Sequence, residues 1–262
     1  MLRQPTSERA RQALDVLASV VGSQTDAARQ WHSSNLADHG RRYGADLDLV
    51  LGLAPTGPLL EIGSAPCHMT ALLHLAGLPV VGVDLDPPRV AALIRQLGLD
   101  VRRCDVEREV LPFADGHFAG ALLCETFEHL RVDPALVLSE ICRVLEPGGF
   151  LLLTTPNVYS LPSLARFLLG RSVADPWQEF GKLRALGHMG HVREYSAPEV
   201  RRFVEASGFA IEWLDYGYDP ANRSRKKRLL NRAYRFVPRR FQRDIVLVAR
   251  KVSAGPGLAP LA

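Results

Sequence analysis

Two stretches decide the fold class: LLEIGSAPCHMT at residues 59–70 and VVGVDLDP at residues 80–87. Each begins as a short apolar run, reaches a small or acidic residue, and leads into a segment with helical spacing of apolar residues. Further apolar runs occupy residues 118–124 and 149–155, DVRRCD at 100–105 is a weaker strand candidate, and helical stretches lie between the runs at 68–76, 87–97 and 134–145. Uniformly apolar strands that alternate with helices predict a parallel sheet covered by helices on both faces.

The flanking sequence predicts additions at both ends of this unit. Residues 7–21 and 26–37 have helical spacing, and residues 39–53 predict a loop followed by a third helix. After the fifth strand, the pattern predicts a helix at 160–170, an irregular stretch at 171–195, a helix that starts in a capping box at 196–199, and strands at 210–218 and 244–251.

The predicted fold class is therefore α/β: a doubly wound, mostly parallel seven-stranded sheet with an N-terminal helical cap. The predicted divisions are a cap at 1–52, a main domain at 53–252 with a substrate-covering insertion at 160–195 and a basic amphipathic helix at 222–240, and a flexible tail at 253–262.

Composition excludes several classes of protein. Hydrophobic residues make up 47% and charged residues 23% of the 262, so the chain is not wholly disordered. The four cysteines, Cys67, Cys104, Cys124 and Cys142, are scattered without a CxxC pair, which favours reduced thiols over a zinc site or a disulfide framework. No apolar stretch suits a signal peptide or a membrane span, so we expect a cytoplasmic protein.

Polar groups at predicted strand ends indicate a nucleoside site. In an open parallel sheet, ligands bind beyond the carboxyl ends of the strands. Small residues after the first strand allow close approach of a ligand, Asp84 is placed to accept both ribose hydroxyls, and Asp105 is placed for an adenine amino group. The predicted cofactor-binding residues are Glu61, Gly63, Ser64, Ala65, Asp84, Leu85, Asp105, Val106 and Glu125.

At this point the sequence resembles the class I S-adenosylmethionine-dependent methyltransferases, over about residues 35–250. The motifs that carry the resemblance are LLEIGSAPCHMT, VVGVDLDP, CDVEREVLPFADGHFAGALLCETFEHL, EICRVLEPGGFLLLTTPN and HVREYSAPEVRRFVEASGF. The resemblance implies S-adenosylmethionine as cofactor and a Rossmann-like fold. One departure is the loop, where Gly63, Ala65 and Cys67 stand at the positions that are usually glycine in this family, with Pro66 between the last two.

A cluster of acids and histidines follows the fourth predicted strand. Glu125 and Glu128 are three residues apart, His129 is adjacent, and a second histidine group, GHMGH, ends at His191. Two carboxylates and two imidazoles suit a divalent cation. The predicted catalytic residues are Glu128, His129 and His191; a metal-free general base, His129 or His191, is the open alternative.

This element resembles E-x-x-E-H in two enzyme groups. These are the ubiquinone-biosynthesis O-methyltransferases and the small-RNA 3′-terminal 2′-O-methyltransferases, and His191 matches the later metal histidine of the second group. The resemblance implies Mg²⁺ or another divalent cation held by Glu125, Glu128, His129 and His191.

The sequence predicts methyl transfer to a hydroxyl of a small molecule or glycan. TTPNVYSLPSLARFLLGRS and GHMGHVREYS resemble bacterial methyltransferases of glycan or secondary-metabolite pathways, which implies a sugar or polyol acceptor, free or linked to a lipid or nucleotide. Methylation at nitrogen or carbon and a non-catalytic binding module stay open as alternatives. Cofactor titration separates the module from the enzyme.

Charge is distributed unevenly along the chain. Residues 223–243 contain ten Arg or Lys and no acid, whereas the rest of the chain has 22 basic and 28 acidic groups, within a net charge of +4. We expect this segment either to rim a packed helix or to contact an anionic membrane at the inner face. Nucleic acid is disfavoured because aromatic side chains are few there. The oligomeric state stays open.

Overall fold

A seven-stranded sheet forms the centre of the protein. The computed structural model describes residues 7–24, 29–173, 175–186, 190–191, 193–217 and 236–252. The strands are β1 Leu59–Ile62, β2 Val80–Asp84, β3 Asp100–Arg103, β4 Phe118–Cys124, β5 Leu145–Pro156, β6 Phe209–Gly217 and β7 Asp244–Lys251. Their order is β3-β2-β1-β4-β5-β7-β6, and β7 runs antiparallel to both of its neighbours. The predicted fold class is confirmed.

The helices of the described residues are α1 Glu8–Ser23, α2 Arg29–Leu53, α3 His68–Leu75, α4 Ala91–Leu97, α5 Pro134–Val144, α6 Leu161–Leu168, α7 Pro176–Leu186 and α8 Ala197–Ala206. Single 3₁₀ turns occupy Pro87–Val90, Phe127–His129 and Arg239–Phe241. Several helix starts follow from sequence: Asp133 caps the N-terminus of α5, and Ser196 with Glu199 forms the capping box of α8.

Two apolar cores cover the two faces of the sheet. Successive residues of β5 belong to opposite cores: Leu151 and Leu153 pack under α5 and α8, whereas Leu152 packs with α1 to α4. Because side chains of a strand alternate between faces, burial on both sides requires an uninterrupted apolar run. This is the physical reason that the central strands are recognisable from sequence.

The N-terminal region differs from the prediction in one respect. The loop predicted within 39–53 is wrong, and the predicted third helix is the last part of α2, which continues without a break through Gly40 and Gly44. Tyr43, Leu47 and Val50 keep the apolar spacing and are buried in the core shared with α1 and α3. Their burial outweighs the roughly 1 kcal/mol by which each glycine disfavours a helix.

The region after β5 also corrects the prediction. The stretch 171–195, predicted as irregular, contains helix α7. β5 itself begins at Leu145 and not at Gly149: Gly148 adopts φ +76° and the pairing with β4 shifts register between Phe118 and Gly120. The turn residues Pro147–Gly149 are thus part of an irregular strand start.

Two predicted segments fall largely outside the described residues. These are the basic helix at 222–240, of which residues 236–240 are described, and the tail at 253–262. Among the described helices, none combines the length and the apolar character needed to cross a bilayer.

Candidate functional site

A cavity of about 1040 Å³ opens at the carboxyl ends of the parallel strands. It lies where β1 and β4 are neighbours, the point at which the strand order changes direction. Its wall combines the loop after β1, the end of β2, the turn after β4, the start of α6 and one face of α2. Its volume is at the upper end of the range typical of ligand pockets.

The turn after β1 requires a glycine. Gly63 has φ +70°, and a Cβ at this position would lie 2.6 Å from Thr126 Oγ1. Thr126 itself donates from its hydroxyl to the Ile62 carbonyl at 3.2 Å. The missing side chain therefore lets the turn pack directly against Thr126, and Gly63, Ser64 and Ala65 line the cavity.

Asp84 lies directly across from this turn. Its Oδ2 accepts from the Ala65 amide at 2.9 Å and its Oδ1 from the Asp86 amide at 2.9 Å. Each carboxylate oxygen keeps a second lone pair, so the fixed carboxylate can also accept two vicinal hydroxyls. Leu85, the next residue, lines the cavity with an exposed apolar side chain.

Glu61 lies at the base of the cavity and is buried. The Thr70 hydroxyl donates to Glu61 Oε2. Burial raises the pKa of Glu61 to about 8, and the Asp84 charge acts in the same direction. The carboxyl group is therefore a fixed polar anchor beneath the turn.

In the altered loop, the Cys67 side chain lies in the core, whereas Pro66 and His68 line the cavity. The Ala65–Pro66 peptide bond is cis and Cys67 has φ +64°. The Cys67 side chain is buried in the core of α1 to α4, and it is not among the residues that line the cavity. His68 is buried too, with its Nδ1 3.1 Å from Asn35 Oδ1 and its Nε2 3.0 Å from His32 Nδ1. Burial, reinforced by His32, lowers the pKa of His68 to about 3.

Asp105 and Val106 do not line the cavity. Asp105 Oδ1 accepts from the Glu107 amide at 3.2 Å, and Val106 packs against the core beneath α5 and α8. The structure thus brings seven of the nine predicted cofactor residues to the cavity, and these two lie in the turn that follows β3.

Glu125 faces the N-terminal cap. It has φ +52°, its Oε2 is 2.7 Å from Arg42 Nη1 on α2, and its Oε1 accepts from the Thr154 hydroxyl at 3.1 Å. Burial by itself lowers the pKa of Arg42, but the surrounding acids, Glu125 first, raise it above its ordinary value. The ion pair joins α2 to the end of β4.

Glu128, His129 and His191 form a compact cluster beside Glu125. Their ligand atoms all lie within 4.8 Å of one another. Glu128 is buried; its Oε2 accepts from the Thr155 hydroxyl at 2.9 Å, and its Oε1 has no hydrogen-bond partner among the described residues. Burial, together with the Glu125 charge, raises the pKa of Glu128. Glu125, which was predicted as a fourth metal ligand, does not belong to this cluster.

Both imidazoles are oriented by contacts at Nδ1. His129 Nδ1 lies 2.8 Å from the Gly190 carbonyl oxygen, and His191 Nδ1 lies 3.4 Å from Glu194 Oε1. Hydrogen bonds at Nδ1 leave Nε2 to face Glu128 Oε1, at 3.8 Å from His129 and 3.9 Å from His191. The Glu194 contact raises the pKa of His191. This back-side support is typical of histidines that bind metals.

Sequence reasoning missed the face of α2 that covers the cavity. Trp31, Asn35, His39 and Tyr43 line it together with Arg42. The first four recur at every fourth position, so they share one helix face. That repeat of aromatic and polar residues was the available signal.

The strand order, the glycine turn after β1 and the acid at the end of β2 occur together in this chain, and known proteins are similar to it in sequence. Residues 60–153 match the family described as "Methyltransferase domain". The chain is 31% identical over 204 residues to a demethylmenaquinone methyltransferase of Thermus thermophilus. The matched region covers 67% of this chain and 88% of that protein. The chain belongs to the class I S-adenosylmethionine-dependent methyltransferases.

Solved structures share the fold of this methyltransferase. A SAM-dependent methyltransferase from Archaeoglobus fulgidus superposes with a TM-score of 0.56 at 18% identity, covering 84% of this chain and 99% of that one. A 1,6-didemethyltoxoflavin-N1-methyltransferase from Burkholderia thailandensis, solved with S-adenosylhomocysteine, gives 0.54 at 21% identity, covering 93% and 91%.

The cavity fits the cofactor of this family. The Gly63 turn has no room for a Cβ, the Asp84 carboxylate is fixed by two backbone amides, and Leu85 offers an apolar surface beside it. These groups suit a nucleoside with free ribose hydroxyls.

Proposed function

We propose that this methyltransferase transfers the methyl group of S-adenosylmethionine to a hydroxyl of a small molecule or glycan. The acceptor is a sugar or polyol, free or linked to a lipid or nucleotide. The observation that carries the proposal is the cluster of Glu128, His129 and His191, in which a buried carboxylate oxygen without a hydrogen-bond partner faces two imidazoles.

The cofactor would be held by the groups at the first two strand ends. Asp84 would accept the ribose hydroxyls, the Gly63–Ala65 backbone would approach the chain that carries the methyl group, and Leu85 would pack on the nucleoside. S-adenosylmethionine supplies an activated methyl group. The α2 face, from Trp31 to Tyr43, would close the cavity against water, which strengthens every electrostatic contact inside it.

The cluster is suited to a divalent cation. Two imidazoles and one carboxylate favour a transition-metal ion such as Mn²⁺ or Zn²⁺ over Mg²⁺, because imidazole is a softer ligand than carboxylate. A bound cation lowers the pKa of a hydroxyl group, which otherwise keeps its proton at neutral pH. Glu128, His129 and His191 would hold the ion, and Glu194 would keep His191 in the tautomer that presents Nε2.

Without a cation, the same residues can hold the acceptor's proton. His129 donates from Nδ1 to the Gly190 carbonyl, so its Nε2 is the atom that takes the proton of the acceptor. The buried Glu128 carboxylate would stabilise the imidazolium that forms. The two schemes differ in their response to chelation.

The test compares the purified chain before and after chelation. S-adenosylhomocysteine release is measured with a panel of sugar, polyol, amine and quinone-type acceptors, and Mn²⁺ is then restored. Glu128→Gln and His191→Ala should each lower turnover by about 100-fold or more, the scale of a lost acid–base or metal-binding group, with cofactor affinity near normal. His117→Ala, a histidine that stacks on Phe113 outside the cavity, is the matched control.

Activity on hydroxyl acceptors that survives both substitutions would refute the role of the cluster. Turnover lost in only one of the two variants would refute a shared cation site.

A second candidate is methyl transfer to carbon or nitrogen. The Thermus thermophilus relative is named a demethylmenaquinone methyltransferase, which favours a quinone-type acceptor. Such an acceptor needs a base but no cation. Activity on the quinone-type members of the panel, unchanged by chelation, would favour this candidate.

A further inference from the structure

Large apolar side chains are exposed at the end of α6 and the start of α7. Phe167, Leu168, Leu169, Trp177 and Phe180 are between 53% and 83% exposed; we call this set the α6–α7 rim. Soluble surfaces expose single apolar residues routinely, but a cluster of this size marks an interaction site. The rim lies in the stretch predicted to cover the substrate.

The two parts of the rim are close along the chain. The connection after α6 folds back, because Arg166 Nε donates to the Ser172 carbonyl at 3.0 Å. α7 begins four residues after Ser172, and Trp177 and Phe180 are one helical turn apart on it. The rim is thus made of one helix end and the helix start that follows it in the chain.

The charges around the rim are positive. Residues 161–186 contain four Arg or Lys and two acids. Arg166, Arg171, Lys182 and Arg184 are exposed, whereas Glu179 is buried and pairs with Lys182 at 2.6 Å. Arg184 stacks over the Trp177 ring at 5.3 Å. The rim therefore combines exposed apolar side chains with an excess of two positive charges, and Lys182 is the one of the four that pairs with Glu179.

A second basic segment is joined to the base of α6. Asn157, four residues before α6, donates to the carbonyls of Arg240 and Gln242, each at 2.9 Å. Arg239 and Arg240 are exposed on this segment, and Arg239 pairs with Asp215. Arg240 thus adds an exposed positive charge on the side of the molecule that carries α6.

We propose that the α6–α7 rim docks on an anionic lipid bilayer and that the acceptor is an amphiphile taken from its surface. Phe167, Leu168 and Leu169 are consecutive, so they fan out by about 100° each around the helix end. A flat protein surface cannot cover such a fan at once, whereas fluid acyl chains can surround it. Apolar tips ringed by Arg and Lys are the pattern of interfacial membrane helices.

The rim is one short helix away from the cluster. Ser160, Pro162 and Ser163 at the start of α6 line the cavity, and α6 has eight residues, about 12 Å. Ser163 donates to Glu194, which supports His191, and the Glu179 carboxylate of α7 lies against Gly190, whose carbonyl holds His129. A polar head at the bilayer surface would therefore enter beside the catalytic histidines. The identity of the acceptor rests on the proposed function; membrane docking does not.

The experiment measures binding of the full chain to vesicles. Sedimentation with phosphatidylcholine–phosphatidylglycerol vesicles is compared with phosphatidylcholine alone, for wild type, Phe167→Ser/Leu168→Ser/Leu169→Ser and Trp177→Ser/Phe180→Ser. The matched control is Val16→Ser/Val110→Ser/Val252→Ser, three exposed valines outside the rim. Both rim variants should bind anionic vesicles at least about tenfold more weakly, whereas the control changes less than about twofold. S-adenosylhomocysteine affinity should be unchanged in all variants, which verifies folding.

Equal binding by wild type and rim variants, or no binding by wild type, overturns the docking surface. The wild type could instead be a dimer that binds no vesicles and that the rim substitutions convert to a monomer. This result would assign the rim to contact with a second copy and would also overturn membrane docking.

A transfer assay tests the acceptor separately. With a tritiated methyl donor and an extract of cells that produce the protein, the label should enter the organic phase, and the rim variants should reduce this transfer. Label confined to the aqueous phase and insensitive to the rim variants overturns the amphiphilic acceptor while the proposed function survives. Vesicle binding without any label transfer preserves the docking surface and refutes the proposed function.

Discussion

Gly63 and Asp84 show how much a single residue position determines in this protein. Gly63 combines a left-handed backbone with a Cβ position filled by Thr126, and Asp84 is fixed by amides of two turns. Both were predictable because a glycine after one strand and an acid after the next must meet at the same edge of a parallel sheet. The same reasoning assigns Asp105 to the cofactor site, but Asp105 does not line the cavity. Spacing along the chain does not specify the direction in which a turn points its side chains.

Gly63→Ala should weaken S-adenosylhomocysteine binding by about tenfold or more and destabilise the fold by about 2–3 kcal/mol. A left-handed alanine costs about 1 kcal/mol, and displacement of Thr126 adds the rest and shifts the turn. Gly98→Ala is the matched control, since Gly98 has φ +65° with nothing within 4 Å of a Cβ. Calorimetric titration and urea unfolding measure the two effects. If Gly63→Ala and Gly98→Ala lose the same unfolding free energy, only backbone strain matters at Gly63. If Gly63→Ala/Thr126→Ala is more stable than Gly63→Ala, the clash with the Thr126 side chain is confirmed.

At the scale of elements, α2 completes the site by packing over the strand ends. Arg42 on this helix pairs with Glu125 at the end of β4, and both side chains are largely buried. The pairing could not be predicted, because it depends on how the helix crosses the sheet and not on any local motif. The anchoring of His129 by the Gly190 carbonyl, 61 residues away, is a second contact of this kind.

Arg42→Met should destabilise the protein by about 2 kcal/mol, since it leaves Glu125 partly buried without its cation. Arg42→Met/Glu125→Gln should recover at least half of this loss, because the glutamine oxygen still accepts from Thr154. Arg41→Met, an exposed neighbour on the same helix, should change stability by less than about 0.5 kcal/mol. Urea unfolding of wild type, Arg42→Met, Glu125→Gln and the double variant completes the cycle, with Arg41→Met measured beside them. Additive single losses, with no recovery in the double variant, would show that the pair does not couple α2 to β4.

At the scale of the whole molecule, the sequence predicts the strands of the central sheet better than the helices that cover the sheet. The central strands β4, β5 and β7 are apolar on both faces and therefore stand out in a single sequence, as Leu151–Leu153 illustrate, whereas the edge strand β3 is largely exposed. α7 was predicted as irregular because its hydrophobic side chains do not form a buried stripe: Trp177 and Phe180 are exposed. Elements whose apolar residues serve an interaction surface lose the periodicity by which helices are recognised.

Because α2 supplies a wall of the cavity, ligand binding should stabilise the cap and the sheet together. At about 100 times its dissociation constant, S-adenosylhomocysteine should add about 2.7 kcal/mol and raise Tm by roughly 5–10 °C in wild type. Asp84→Ala should lose most of this gain at the same ligand concentration, because charge-assisted hydrogen bonds contribute about 1–3 kcal/mol to cofactor binding. Hydrogen exchange should slow in α2 as much as in the turns after β1 and β2. Exchange in α2 that is unaffected by ligand, while those turns are protected, would show that the cap opens independently and that the Arg42–Glu125 pair does not transmit binding.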